Sequence, residues 1–213
     1  MAFLDDFVPL VRMEAQNVPI FTMRHAILMA CREMCENSHI WKETLDPISL
    51  VADVEEYDIE QPNEARVLML YSAQCRDKDL DFKTEQQMRG NWRTLTDTHP
   101  KILIQENPTT FRLVGIPTET VNEGITGLRA AVQPAIGATE VGDILMDEYA
   151  EMISYGALAR LQRMPGKTWA QPELSQYYDG LFQGGIGNAK MRAWKGYGKS
   201  ELHVQPIKLN GAP

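Results

Sequence analysis

The stretch Asp143-Ile-Leu-Met-Asp-Glu-Tyr149-Ala-Glu-Met-Ile-Ser-Tyr-Gly156-Ala-Leu-Ala-Arg160-Leu-Gln-Arg163 reads as one long helix, and the rest of the chain is organised around it. Ile144, Leu145, Tyr149, Met152, Ile153, Gly156, Ala157, Arg160, Leu161 and Met164 recur at helical spacing, which places them along one side of the spiral. Asp143, Asp147, Glu148 and Glu151 crowd its first turns, and Arg160 and Arg163 its last, so the charges complement the helix dipole. Pro165-Gly166 ends it.

Toward the C-terminus, Pro172 opens a second helix with Leu174, Tyr177, Tyr178, Leu181, Phe182, Ala189 and Ala193 as its apolar side. Gly180, Gly184, Gly185 and Gly187 each weaken that helix by up to about 1 kcal/mol relative to alanine, so they predict a kink or the close approach of another backbone. Beyond Gly196, Leu202, Val204 and Ile207 alternate with polar residues, and Pro206 confines the segment to an edge or an extended arm.

Toward the N-terminus, Pro19 precedes Ile20, Met23, Ile27, Ala30, Cys31, Met34 and Cys35, the pattern of a helix ending near Asn37. Phe3 to Arg12 predicts a short amphipathic helix ahead of it. Between the two helical regions lie short extended pieces: Pro47 to Val51, Tyr57 to Ile59, Ala65 to Ala73, Pro100 to Gln105, Thr109 to Val114 and Ile125 to Val132, with a helical turn or two near Thr84 to Gly90. The expected fold is α+β: a bundle of about three main helices, one N-terminal and two C-terminal, with a small antiparallel β-rich region inserted and an extended C-terminal arm. The expected segments are residues 1–42, 43–137, 138–196 packing back on 1–42, and the arm 197–213.

The 213 residues are 44% hydrophobic and 23% charged, the usage of a chain that folds rather than of a disordered one. The longest apolar run, Ala26 to Cys31, falls far short of the roughly 18 residues that indicate a membrane span. The opening Met-Ala-Phe-Leu-Asp-Asp carries acid where a secretory signal carries positive charge, so synthesis and residence in the cytoplasm are expected. The three cysteines, Cys31, Cys35 and Cys75, form no paired framework and suit a reducing compartment. The net charge of −8 conceals a gradient: residues 1–60 carry 12 acids and 4 bases, whereas residues 159–213 carry 3 acids and 8 bases. An acidic body disfavours stable DNA binding through phosphate neutralisation. A basic end on such a body suggests an acidic protein partner, including a neighbouring copy of the same chain.

Several motifs look like chemistry. Ala193-Trp-Lys-Gly-Tyr-Gly198-Lys199-Ser200 fits a relaxed phosphate-loop pattern, which would give a nucleotide-binding enzyme using Lys199 and Ser200. That loop works by following a buried strand and opening a helix, and here the order is reversed. Gly166 to Thr168 lacks the first glycine of the same pattern, and Gly185-Ile-Gly187 lacks the third glycine of a dinucleotide fingerprint. Cys31, Cys35 and His39 recur every four residues and could face one metal, but zinc sites favour a fourth ligand and CxxC turns, so buried thiols are the expectation. His25, His39, His99 and His203 show no local catalytic arrangement. The acids Asp53, Glu55, Glu56, Asp58 and Glu60 lack the spacing of a calcium loop and read as a solvated turn. No cofactor and no metal are expected.

Lys190, Arg192, Lys195 and Lys199, with His203 and Lys208 further along the arm, are the candidate docking residues. Dipole complementation explains two of the bases at a helix end but not four followed by an extended arm. The same four also allow a DNA-binding module.

The helix ending Cys31-Arg-Glu-Met-Cys35-Glu-Asn-Ser-His-Ile-Trp41, then Leu45-Asp-Pro-Ile-Ser-Leu-Val51 and Tyr57-Asp-Ile59, resembles the start of head-to-tail adaptor (connector) proteins of tailed bacteriophages. Gln105-Glu-Asn-Pro-Thr-Thr-Phe-Arg-Leu-Val114, the helix from Tyr149 to Leu161, and Pro165-Gly-Lys-Thr-Trp169 are similar in kind and order, so the resemblance covers nearly the whole chain. It implies a structural virion protein of the neck: a homo-oligomeric ring, dodecameric in the family, docked beneath the portal protein. Tail or nozzle proteins would attach below, and genomic DNA would pass through the channel without sequence-specific binding. It implies synthesis in the bacterial host cytoplasm, no membrane partner, no catalytic residues and a C-terminal segment that engages the portal. Another neck or tail-completion protein is the alternative within the same class.

Overall fold

The computed structural model describes residues 1–196. Strand β1 (Ala2–Phe3) is followed by a 3-10 turn over Leu4–Phe7, helix α1 (Val8–Arg12) and helix α2 (Ile20–Ser38). Strands β2 (Lys42–Thr44), β3 (Ile48–Leu50), β4 (Glu56–Asp58), β5 (Ala65–Cys75), β6 (Lys78–Asp79) and β7 (Asp81–Phe82) come next. Two 3-10 turns, Glu85–Gln87 and Trp92–Thr94, lead to β8 (Ile102–Gln105), β9 (Thr110–Val114), β10 (Val121–Pro134) and β11 (Glu140–Val141). Helices α3 (Asp143–Gln162) and α4 (Pro172–Lys195) complete the described chain.

The expected architecture needs correction on two counts. There are four helices among the described residues rather than about three, and the β part is not a small insertion but eleven strands in several sheets. One sheet has the order β2-β10-β5-β6 with β3 also on β10, a second has the order β4-β9-β8-β7, and β1 pairs with β11. The β7–β8 pair is parallel, so the β part is not wholly antiparallel either. The expected extended arm, with Lys199, His203 and Lys208, lies outside the described residues.

The physical reason for the larger sheets lies in β10 and β5. Alternation that marks a half-buried strand is broken in both by bulges, each of which moves the following side chains to the other face. Ala130 pairs with Leu70 and Arg129 with Ser72, so Tyr71 is an extra residue; Leu68 is another, between the Ala131–Met69 and Val132–Val67 pairs. A third irregularity, between Thr126 and Arg129, contains Gly127 at φ +59°, a left-handed position that glycine takes without steric cost. These kinks bend a 14-residue strand enough for its two ends to serve different neighbours, the helices at one end and β3 at the other. At the N-terminus, Ala2 and Phe3 pair with Val141 and Glu140, which shortens the expected Phe3–Arg12 helix to α1.

Helix α3 is central. Packed against α1, α2 and α4, it buries Leu145, Tyr149, Ile153, Gly156, Ala157, Leu158, Ala159 and Leu161, nearly its full circumference in the second half. Close contact with α4 depends on glycine: a Cβ on Gly156 would lie 2.8 Å from the Phe182 ring, and one on Gly185 would lie 2.8 Å from Met152. The buried Ser175 hydroxyl donates to the Ala159 carbonyl at 2.7 Å and fixes the start of α4 on α3. Helix α2 meets the same pair through Glu33, which accepts from the Arg160 guanidinium and from Gln183 Nε2. The other face of α2 packs on β10. No helix among the described residues is long and apolar enough to cross a membrane.

Candidate docking surface

The apolar side of α4 differs from the sequence expectation in a way that creates the site. Tyr178, Phe182, Gly185, Ile186 and Ala189 face the core, whereas Leu174 and Tyr177 are exposed. Gly180, Gly184 and Gly187 have nothing within 4 Å of where a Cβ would stand, so of the four glycines only Gly185 makes a close helix contact within this chain. Tyr177, Gly184 and Met191 repeat every seven residues, as do Gly180, Gly187 and Trp194, and the two series form one outer stripe along the helix. Trp194 on that stripe is 94% exposed and Met191 is 57% exposed.

The stripe ends in a cleft of 710 Å³ between the last turns of α4, the C-terminus of α2 and the outer face of the β2-β10-β5 sheet. Its walls include Met69 and Tyr71 from β5, Met191 and Trp194 from α4, and Ser38, His39, Lys42 and Lys190 as the polar residues. The Leu68 bulge separates the exposed Met69 from the buried Val67, and Tyr71, two residues on from Met69, is exposed beside it, so β5 presents two large apolar side chains to the cleft. Lys42 links the sheet to α4 at the side of the cleft: its ammonium donates to the Ala193 carbonyl at 2.7 Å and lies 5.0 Å from the centre of the Tyr71 ring. It thereby caps an open carbonyl at the end of α4.

His39 closes α2 in the left-handed region, at φ 53°, with its amide donating to the Cys35 carbonyl at 2.8 Å. Partial burial and then the charges of Lys190 and Lys42 hold its imidazole below the ordinary pKa of 6.5. The chain turns there, so His39 is not a third residue on the helix face of Cys31 and Cys35. Both thiols are fully buried, and burial pushes their pKa values up. No group of three or more His, Cys, Asp or Glu residues among the described ones could hold a metal ion.

Of the candidate docking residues, Lys190 lines the cleft and Lys195 is exposed at the end of α4. Arg192 turns instead toward α3, where it pairs with Glu148 at 3.2 Å. The structure thus divides a set that looks uniform in sequence, since a step of two residues on a helix changes the face by about 200°. Met69, Tyr71, His39 and Lys42 escape sequence reasoning. The signal for the cleft in the sequence is the seven-residue repeat on α4, of which the expected apolar side includes Tyr177 but neither Met191 nor Trp194.

At the far end of the sheets, the acidic cluster forms a turn and an edge strand. Asp53 sits at φ 61°, its amide donating to the Pro117 carbonyl at 2.9 Å, and the Ala52 amide donates to Thr120 Oγ1 at 3.0 Å. The Tyr57 hydroxyl accepts from the Val51 amide at 3.2 Å and donates to the Val54 carbonyl at 3.0 Å, bracing the turn from below. Arg112 reaches Glu55, Glu56 and Glu106 at 3.8, 3.7 and 3.5 Å. The cleft combines the aromatic rings of Tyr71 and Trp194 and the side chains of Met69 and Met191 with the ammonium groups of Lys42 and Lys190 and the His39 imidazole. No family model matches the chain, and no curated protein matches it.

Proposed function

We propose that the protein is a structural subunit of a bacteriophage neck, a head-to-tail adaptor that assembles as a ring between the portal and the tail and lines part of the DNA channel. The observation that carries this reading is the outer face of α4. Trp194 and Met191 stand exposed beside Lys190 at the point where the chain passes into residues 197–213. A large aromatic side chain left in water over nearly its whole surface supports a role in assembly, where apolar patches rimmed by charge become buried. The succession of segments from Cys31–Trp41 through Pro165–Trp169, similar to that of phage adaptors, supplies the location and the partners: portal above, tail or nozzle proteins below, DNA within. The acidic surface suits a channel through which DNA slides, because few bases stand ready to neutralise phosphates.

The arm 197–213 is the proposed portal-docking element, with Lys199, His203 and Lys208 joining Lys195. Deleting residues 197–213 is expected to abolish binding to purified portal rings; unchanged affinity would contradict this role. The phosphate-loop reading finds less support. Helix α4 runs to Lys195, immediately before Gly196-Tyr-Gly-Lys-Ser200, where a nucleotide loop needs a buried strand. ATP or GTP is expected to leave the melting temperature unchanged, and a rise with either would revive that reading.

A further inference from the structure

The cleft at the end of α4 and the turn at residues 51–56 are complementary to each other. The cleft has an apolar interior formed by Met69, Tyr71, Met191 and Trp194, with Lys42 and Lys190 at its sides and no carboxylate among its described lining residues. The turn is the converse: Val51 and Val54 are 41% and 36% exposed, and Asp53 and Glu56 stand exposed beside them. Apolar tip meets apolar floor, and carboxylate meets ammonium. The turn is also held in shape before any contact, by the Tyr57 hydroxyl and by the two backbone amides bonded to Pro117 and Thr120. A preformed projection loses little freedom when it binds.

One molecule cannot satisfy both halves of this pair. Strand β10 joins them: Val121 pairs with Leu50, next to the turn, and Ala131 lines the cleft. Ten residues of strand lie between those positions, at most about 33 Å at roughly 3.3 Å per residue and less where the bulges kink β10, so the two features stand toward opposite ends of the strand. We propose that the Val51–Glu56 turn of one copy seats in the α4 cleft of a second copy, a head-to-tail contact between unlike surfaces. The inference rests on the ring reading and specifies its contact. A contact of this kind leaves each copy with one free turn or one free cleft until the chain of copies closes on itself, which is how rings form. The open spaces over Gly180, Gly184 and Gly187 lie on the same side of α4 and leave room for the approaching backbone.

The test is a charge exchange on the full-length chain, read by sedimentation across a concentration series up to the millimolar range. One variant reverses the cleft (Lys42→Glu with Lys190→Glu) and the other reverses the turn (Asp53→Lys with Glu56→Lys). Each alone is expected to associate with itself at least about tenfold more weakly than the unaltered chain, because like charges then meet. An equimolar mixture of the two is expected to recover association, since each turn again faces a cleft of opposite sign. Trp194→Ala, at a side chain that contributes almost nothing to the core, is expected to weaken association about tenfold or more while leaving the melting temperature unchanged.

Association that persists in both reversed variants, or a mixture that does not recover it, would overturn the proposed contact while leaving a ring built through another surface intact. An unaltered chain that stays monomeric throughout would also overturn it, independently of whether the arm binds the portal. Binding of a short single-stranded oligonucleotide that is lost in the Lys42→Glu, Lys190→Glu variant, with association unchanged, would assign the cleft to nucleic acid instead. A chain ending at residue 196 that associates where the full chain does not would assign it to the arm of the same molecule.

Discussion

Gly156 has no room for a methyl group, since its Cβ would stand 2.8 Å from the Phe182 ring in a buried helix contact. Gly156→Ala is therefore expected to destabilise the fold by about 1–3 kcal/mol in urea denaturation, the cost of overpacking. Gly180 is the control. Nothing lies within 4 Å of its Cβ position, and Gly180→Ala is expected to stabilise the isolated chain by up to about 1 kcal/mol through helix propensity alone. His39 gives a pH effect of defined sign. Its native pKa is held below 6.5, so as pH falls through the ordinary value the unfolded chain takes up a proton before the folded one does. Stability is then lost on acidification through that window and regained above it. Lys190→Ala is expected to raise the imidazole pKa measured by NMR titration, because it removes the larger of the two charge effects that oppose protonation; a pKa that stays in place would show that Lys190 plays no part.

At the scale of elements, Glu33 joins three helices, accepting from Arg160 on α3 and Gln183 on α4. Arg160 also donates to the Gly156 carbonyl at 3.3 Å and lies over the Phe182 ring. Glu33→Ala is expected to cost about 1–3 kcal/mol, the penalty for leaving a partly buried guanidinium without its carboxylate, with no change in the slope of the denaturation curve. The helices at this junction are legible in the sequence because each has an uninterrupted period and clear ends: Pro19 before α2, Pro165-Gly166 after α3 and Pro172 at the start of α4. The sheets are not. Bulges at Leu68, Tyr71 and Gly127 break the two-residue alternation in β5 and β10, and each strand reads as one shorter piece, Ala65 to Ala73 and Ile125 to Val132, with nothing to show which strands pair. The parallel β7–β8 pair is invisible for a different reason: two residues on each side carry no periodicity, and residues 83–101 separate them. The candidate site follows the same division. Lys190 stands out in the sequence as one of several bases at a helix end, whereas Met69 and Tyr71 carry no such mark and face the cleft beyond the Leu68 bulge.

At the scale of the whole molecule, the charge gradient acquires a geometry. The Val51–Glu56 turn lies next to Val121 at one end of β10, and Lys42 and Lys190 flank the cleft near Ala131, toward its other end. A molecule with opposite signs on separated features is suited to repeat head to tail, and such pairing should weaken with salt as exposed charges are screened. The central claim is that these copies form a ring between portal and tail. Cryo-EM of the virion tests it most directly: the account predicts a closed ring at the neck into which α2, α3 and α4 fit, with the Val51–Glu56 turn of each copy against α4 of the next. Density for the chain elsewhere in the particle, or a neck ring into which this fold cannot be fitted, would contradict it.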